Sequence, residues 1–199
     1  MTLSALLTAR AALHQFFTKE TVDLHDMFVL NEKDLASTNF MPVFRPAGAT
    51  NKMAVEWKRK MGVSVWVQVD VMRYKNAKGP RVSELYLINR SLYPDRCAAH
   101  KEARNPKRFI TRRTLLCGLY EWCDADSFQF SLTGEHLDPK SFPPTWFPGD
   151  RLSDGRIAYA DCCSPVSEIG HHLIRLRCAH STYYEACRSV RAMKKVPLR

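Results

Sequence analysis

Gly118-Leu119-Tyr120-Glu121-Trp122-Cys123 sets one carboxylate between two large aromatic rings, directly after a basic run. On a strand-like segment such a glutamate is partly shielded from water. Its proton affinity then rises toward that of a general acid or base. The same pattern fits a strand residue flanked by core aromatics, so Glu121 needs companions before it implies chemistry. His171-His172 supply one kind of companion, since a Glu/His pair can move protons near neutral pH. Trp57-Lys58-Arg59-Lys60, with Trp66 following, supply another kind. Rings that stack on bases and cations that neutralise phosphate are the equipment of single-strand binders, and the same residues also fit a core tryptophan beside a solvated charge run. Seven cysteines and seven histidines raise the question of a metal. Cys97 and His100, Cys117 and Cys123, and Cys178 and His180 all lack the two-cysteine knuckle spacing of structural zinc sites. The adjacent Cys162 and Cys163 would point to opposite faces of a strand. Buried free thiols are the expectation, with no metal and no cofactor.

The elements that must position these residues belong to a chain of 199 residues with 45% hydrophobic content, enough for one domain with a real core. Thirty Lys+Arg against twenty Asp+Glu give a net charge of +10, which favours a polyanionic partner. An odd number of irregularly spaced cysteines argues against a disulfide framework and for a reducing compartment. No apolar run is long enough to span a bilayer, and the start lacks a basic secretory n-region. The expectation is an intracellular, cytoplasmic protein, monomeric, with a polyanionic partner and no membrane.

Along the chain, Leu6, Leu13 and Phe17 form one apolar stripe that predicts a first helix, with Thr2 or Ser4 as its cap. Residues 36–51 are turn-rich and read as an ordered loop or short strand. Val63, Val65, Val67, Val69 and Val71 alternate with polar residues and predict a strand; after the break at Asn76–Pro80, Val82–Ile88 would pair with it as a hairpin. Residues 94–113 carry Lys101, Arg104, Lys107, Arg108, Arg112 and Arg113 and read as a basic helix. Strands are expected at Leu115–Trp122, Phe128–Leu132, Ile157–Ala160 and Leu173–Cys178, with a proline-rich loop over 138–150. Thr182-Tyr183-Tyr184-Glu185 has capping-box spacing and would open a last helix bearing Arg188, Arg191, Lys194 and Lys195. Together these predict an α+β fold with a mainly antiparallel, barrel-like core and flanking helices. One domain would span 1–190, followed by a short basic tail over 191–199.

The order of short motifs resembles the SRAP family, the SOS response-associated peptidases that shield abasic sites in single-stranded DNA. Leu7-Thr8-Ala9, the turn Asn39–Pro46, Trp57 and Trp66, Leu87-Ile88-Asn89-Arg90, Gly118-Leu119-Tyr120-Glu121-Trp122, His172 and Tyr184-Glu185-Ala186 are similar to the family's motifs in that order. In the family, methionine removal exposes a cysteine whose amine and thiol capture the abasic aldehyde. The resemblance thus implies catalytic roles for Thr2, Asn89, Glu121 and His172, with His171 as the alternative histidine. Nucleic-acid contacts are expected at Trp57, Lys58, Arg59 and Trp66, and at Arg90, Arg112, Arg113 and Arg175. The departures are Thr2 in place of the cysteine, Leu3-Ser4 in place of the glycine and arginine after it, and Ser91 at a family arginine. A threonine hydroxyl cannot close the family's thiazolidine. Three outcomes follow: Schiff-base chemistry at the Thr2 amine, a binding module without catalysis, or a regulatory protein of a mobile element.

Overall fold

Thr2 accepts a hydrogen bond from the Ala5 amide and caps α1, Leu3–Thr18, which ends where Lys19 turns into the left-handed region at φ 65°. Leu3, Leu6, Leu7, Arg10, His14 and Phe17 recur at three- and four-residue spacing and are buried, so α1 presents one continuous face to the interior. The structure, a computed structural model, describes residues 1–91, 96–99, 115–137, 144–163, 173–180 and 187–199. After α1 come α2 (Leu24–Met27), α3 (Glu32–Ala36), β1 (Phe40–Arg45), α4 (Asn51–Lys60), β2 (Ser64–Val67), a single 3-10 turn (Val71–Arg73) and β3 (Glu84–Asn89). β4 (Arg96–Ala99), β5 (Leu115–Leu116), α5 (Leu119–Thr133), β6 (Thr145–Arg151), β7 (Ile157–Cys163), β8 (Leu173–Ala179), β9 (Cys187–Val190) and β10 (Ala192–Val196) complete the order.

The strands form two sheets, one in the order β1-β3-β10-β5 and one in the order β2-β8-β7-β6-β9-β4. Pairing is antiparallel except between β2 and β8 and at the single β6–β9 bridge. The α+β class is as expected, but neither sheet closes into a barrel among the described residues.

Helix α5 is the central element. Every residue from Leu119 to Gln129 is buried, acids included, so the helix is enclosed on all sides rather than lying on a surface. This overturns two expected strands, Leu115–Trp122 and Phe128–Leu132: β5 stops at Leu116, and helix runs from Leu119 to Thr133. The alternating valines form a strand only at Ser64–Val67, because β2 gives way to the turn at Val71. The expected hairpin is also absent: β3 pairs with β1 and β10, whereas β2 pairs with β8 in the other sheet. Residues 191–199 are no tail, since β10 sits between β3 and β5. Arg188 lies on β9 and Lys194 and Lys195 on β10, where a helix was expected. Within the expected basic helix, Arg96–Ala99 is a strand; the remainder lies outside the described residues, as does the capping box at 182–185.

Candidate nucleic-acid interface

Of the residues assigned to catalysis by resemblance, Thr2 and Asn89 lie together while Glu121 lies apart from them. Thr2 caps α1, the Leu3 amide donates to the Ser37 carbonyl at 2.8 Å, and Arg90 Nη1 donates to the Met1 carbonyl at 3.3 Å. Arg90 N in turn donates to the Asn39 carbonyl, and Asn89 pairs with Phe40, so Thr2, Asn89 and Arg90 gather at the start of β1. Glu121 is bound to Arg45 at the other end of β1, with Oε1 accepting from Arg45 Nη1 at 2.7 Å. Arg45 points onward from the strand, donating to the carbonyls of Ala49, Asn76 and Lys78. Five residue steps separate Phe40 from Arg45, about 17 Å of strand. The amino end of the chain is therefore not beside Glu121. His172 and His171 lie outside the described residues, as do Arg112 and Arg113.

Glu121 belongs instead to a set of buried acids on α5, each matched to a cation from another element. Asp124 is clasped by Arg10 of α1, Asp126 by Lys58 of α4, and Glu121 by Arg45 of β1. Asp124 Oδ2 also accepts from the Phe44 amide at 3.2 Å, while Arg10 Nη2 donates to the Phe44 carbonyl. The Arg10–Asp124 pair thus stands in for a neighbouring strand along the open edge of β1, and Pro42, two residues earlier, has no amide hydrogen to satisfy there. Burial pushes the Asp126 carboxyl up, but Lys58 and a hydrogen bond from His136 outweigh it and hold the group at about 2. For Asp124 burial wins over Arg10, and its carboxyl is raised.

Asp150 of β6 completes this region by accepting from the Leu119 amide at 2.8 Å, which caps α5 where Gly118 has no side chain to do so. A Cβ on residue 118 would lie 2.5 Å from Glu121 Oε2 and 2.9 Å from Asp150 Oδ2, so a side chain there would have to displace these carboxylates. Burial first, and the nearby Glu121 charge, raise the Asp150 carboxyl from 3.8 to about 6. That rise corresponds to about 3 kcal/mol. Because the folded-state value is the higher one, this stabilisation is complete below about pH 3.8 and is lost as pH climbs through about 6. Asp150→Asn keeps an oxygen for Leu119 and removes the charge. Its stability relative to the native protein should improve by about 2 kcal/mol between pH 4 and pH 7, measured as paired urea unfolding curves. An unchanged difference between the two pH values would contradict this account of Asp150.

The residues assigned to nucleic-acid contact divide into three groups. Trp57 and Lys58 face inward. Trp57 is 5% exposed and stacked on Phe17 at 5.3 Å between centroids, and Lys58 is fully enclosed above Trp122. Neither reaches a nucleic acid; the run Trp57-Lys58-Arg59-Lys60 is helical, so its four side chains radiate around α4 instead of forming one patch. Arg90 is committed to the Met1 carbonyl at the far end of the first sheet.

Trp66, Arg59 and Arg175 do come together. On β2 the polar-side residues Ser64 and Trp66 are exposed while Val65 and Val67 are half-buried, and Trp66 keeps 49% of its surface open. Trp66 stands opposite Arg175 on β8, and Arg175 opposite Asp161 on β7. Two hydrogen bonds, 3.1 and 2.6 Å, fix the Arg175 guanidinium on the Asp161 carboxylate. Arg59 Nη2 donates to the Val65 carbonyl at 3.2 Å on the outer edge of β2. The resulting open groove, about 410 Å³, is lined by Arg59, Gly62, Val63, Ser64, Val65, Trp66 and Leu173. Lys60, exposed beside Arg59, and the carbonyl end of α4 make this rim the natural place for cations. Apolar floor, aromatic wall and cationic rim suit a nucleobase and its phosphate.

Among the described residues no three His, Cys, Asp or Glu side chains are placed to hold a metal ion, and Cys117, Cys123 and Cys178 are buried free thiols. Burial pushes the Cys123 thiol up to about 12. No helix among the described residues is long and apolar enough to cross a membrane. Comparison of the chain with family models, with characterised proteins and with solved structures finds no match.

Proposed function

We propose that this chain is an intracellular, monomeric nucleic-acid-binding module that holds single-stranded DNA, or a strand opened by damage, with an unpaired base stacked on Trp66. The observation that carries the reading is a half-exposed tryptophan on an edge strand, in a groove rimmed by Arg59, in a chain of net charge +10. On this reading the SRAP resemblance bears on binding. The Schiff-base route at Thr2 is disfavoured by the separation of that residue from Glu121 along β1 and by the burial of Glu121 in its pair with Arg45.

The test is fluorescence anisotropy of a labelled single-stranded oligonucleotide at low salt, with tryptophan quenching read in parallel. The native chain should bind and quench, and duplex of the same length should compete poorly. Trp66→Ala should weaken binding about 5- to 150-fold, the equivalent of about 1–3 kcal/mol for one stacked base. No binding at low ionic strength would end the proposal. The same titration on an abasic oligonucleotide with borohydride present should trap no adduct; a trapped adduct lost on blocking the amino terminus would restore the enzymatic reading.

A further inference from the structure

Between β2 and β3 the chain carries Arg73, Lys75, Lys78 and Arg81, four exposed cations in nine residues with no acid from Val71 to Ser83. None of the four is ion-paired with a described residue. Exposed cations elsewhere commonly have partners: Lys194 is held by Asp34 and Lys195 by Glu84. The flanking acids are already engaged, Asp70 by the Met72 amide and Glu84 by Lys195 and Tyr86.

This loop is also unusually well fastened. Val71, Tyr74 and Ala77 are buried and recur every third residue, so the cations between them are turned outward. The Lys75 amide donates to the Arg151 carbonyl at 2.9 Å, the Asn51 amide to the Ala77 carbonyl at 3.0 Å, and Asn76 Nδ2 to the Gly149 carbonyl at 2.9 Å. Arg45 reaches out of the core to the carbonyls of Asn76 and Lys78, at 3.1 and 3.2 Å. Gly79 lies so close to the 48–49 backbone that a Cβ there would sit 2.3 Å from the Ala49 amide nitrogen. Every fastening uses the backbone, Asn76 or Arg45, which leaves the four charged side chains uncommitted.

We infer that residues 73–81 form a pre-built seat for the phosphodiester backbone of a nucleic acid. The inference rests on the nucleic-acid reading of the Trp66 groove and adds to the few cations at its rim, Arg59 and Lys60, the further phosphate contacts that Arg175, tied to Asp161, does not offer. Four unpaired cations on a fixed backbone repel one another at no gain to the fold, and a polyanion relieves that repulsion by replacing its own counterions. Two arginines and two lysines suit phosphate oxygens, the arginines as forks and the lysines as point charges. Because the backbone is already ordered, binding has only the side chains left to immobilise.

The deciding experiment measures the affinity of the full chain for labelled oligo-dT from 25 to 200 mM KCl, with Trp66 quenching recorded in each titration. The compared variants are Trp66→Ala and the fourfold Arg73→Gln, Lys75→Gln, Lys78→Gln, Arg81→Gln. Four single-strand phosphate contacts predict that the slope of log K against log[KCl] becomes shallower by about 3, and by about 0.7 for each single replacement. Quenching at saturation should persist in the fourfold variant. A control replacing Lys19, Lys33, Lys52 and Arg199 by Gln removes the same net charge and should leave the slope nearly unchanged. Equal loss in the control, or no change in the fourfold variant, overturns the inference. So does a loop variant that loses anionic vesicles or poly-aspartate but holds oligo-dT. The single replacements decide the matter should the fourfold variant unfold. If the slope changes while Trp66→Ala binds normally, the stacking groove fails and the phosphate seat stands. If the native chain binds no nucleic acid at 25 mM KCl, both fall.

Discussion

Lys58→Met should cost about 3–5 kcal/mol of folding stability, although it replaces a buried charge with an apolar side chain of similar length. Lys58 Nζ and Asp126 Oδ2 form an ion pair in which neither side chain is exposed. Removing the ammonium leaves the Asp126 carboxylate with His136 at 2.9 Å and the Leu137 amide at 2.6 Å, and no permanent cation. Uncompensated charge in a desolvated site is among the largest single-residue penalties known. The loss is measured as a fall in urea midpoint. Adding Asp126→Asn should recover part of it, because the second change removes the orphaned charge, and the double-mutant cycle isolates the pair. A single variant within 1 kcal/mol of the native protein would show that Lys58 is not enclosed with Asp126. The same logic applies to Arg10 with Asp124. It explains how a helix with Glu121, Asp124 and Asp126 on adjacent turns occupies the centre of the molecule: the cations come from α1, β1 and α4, so docking each element neutralises one acid.

That arrangement also explains what could be read from the sequence. Helix α1 is legible because half its circumference meets water, so its apolar residues fall into a stripe; β7 is legible from the apolar start Ile157–Ala160, and β8 from the alternation of Ile174, Leu176 and Cys178 with Arg175 and Arg177. Helix α5 is not. Burial on every side erases the 3.6-residue contrast, and three acids interrupt the apolar run, so Tyr120-Glu121-Trp122 passes for an alternating strand. The compensating cations are 68 or more residues away in sequence, and no local pattern names them. One signal was available for Lys58. Asn51, Ala54, Val55 and Lys58 are spaced i, i+3, i+4, i+7, the interior face of a helix, and all four are buried. In the candidate interface, Trp66 was legible from the alternation along β2, while the four cations at 73–81 were obscured by Gly79-Pro80, which reads as a chain break. The resemblance at Gly118–Trp122 brought a motif without its setting: the glutamate sits in a helix and pairs with Arg45, which no short motif encodes.

Deleting residues 192–199 should abolish cooperative folding, a much larger effect than loss of a charged tail would have. β10 is an interior strand. Met193, Lys194, Lys195 and Val196 pair with Ile88, Leu87, Tyr86 and Leu85 of β3, and on the other side Ala192 and Met193 pair with Leu116 and Leu115 of β5. Val196 is buried in a cluster with Leu3, Leu7, Leu24, Phe28, Phe44, Leu85 and Leu87, so its removal opens the floor beneath α1. Beyond the strand, the Val29 amide donates to the Pro197 carbonyl at 2.9 Å and the Arg199 amide to the Met27 carbonyl at 3.0 Å, tying down the segment after α2. Truncation therefore strips β3 of a neighbour, leaves β5 unpaired and exposes apolar surface, at a cost comparable to the whole stability of a small domain, about 5–15 kcal/mol. The charges contribute little by comparison. Lys194→Ala and Lys195→Ala break exposed pairs with Asp34 and Glu84 and should each cost less than about 1 kcal/mol. Thermal unfolding followed by near-ultraviolet circular dichroism separates the cases. The truncated chain should show no sigmoidal transition and the two lysine variants nearly native ones. A truncated chain that melts cooperatively at the native midpoint would remove β10 from the sheet and return residues 191–199 to the status of an appendage.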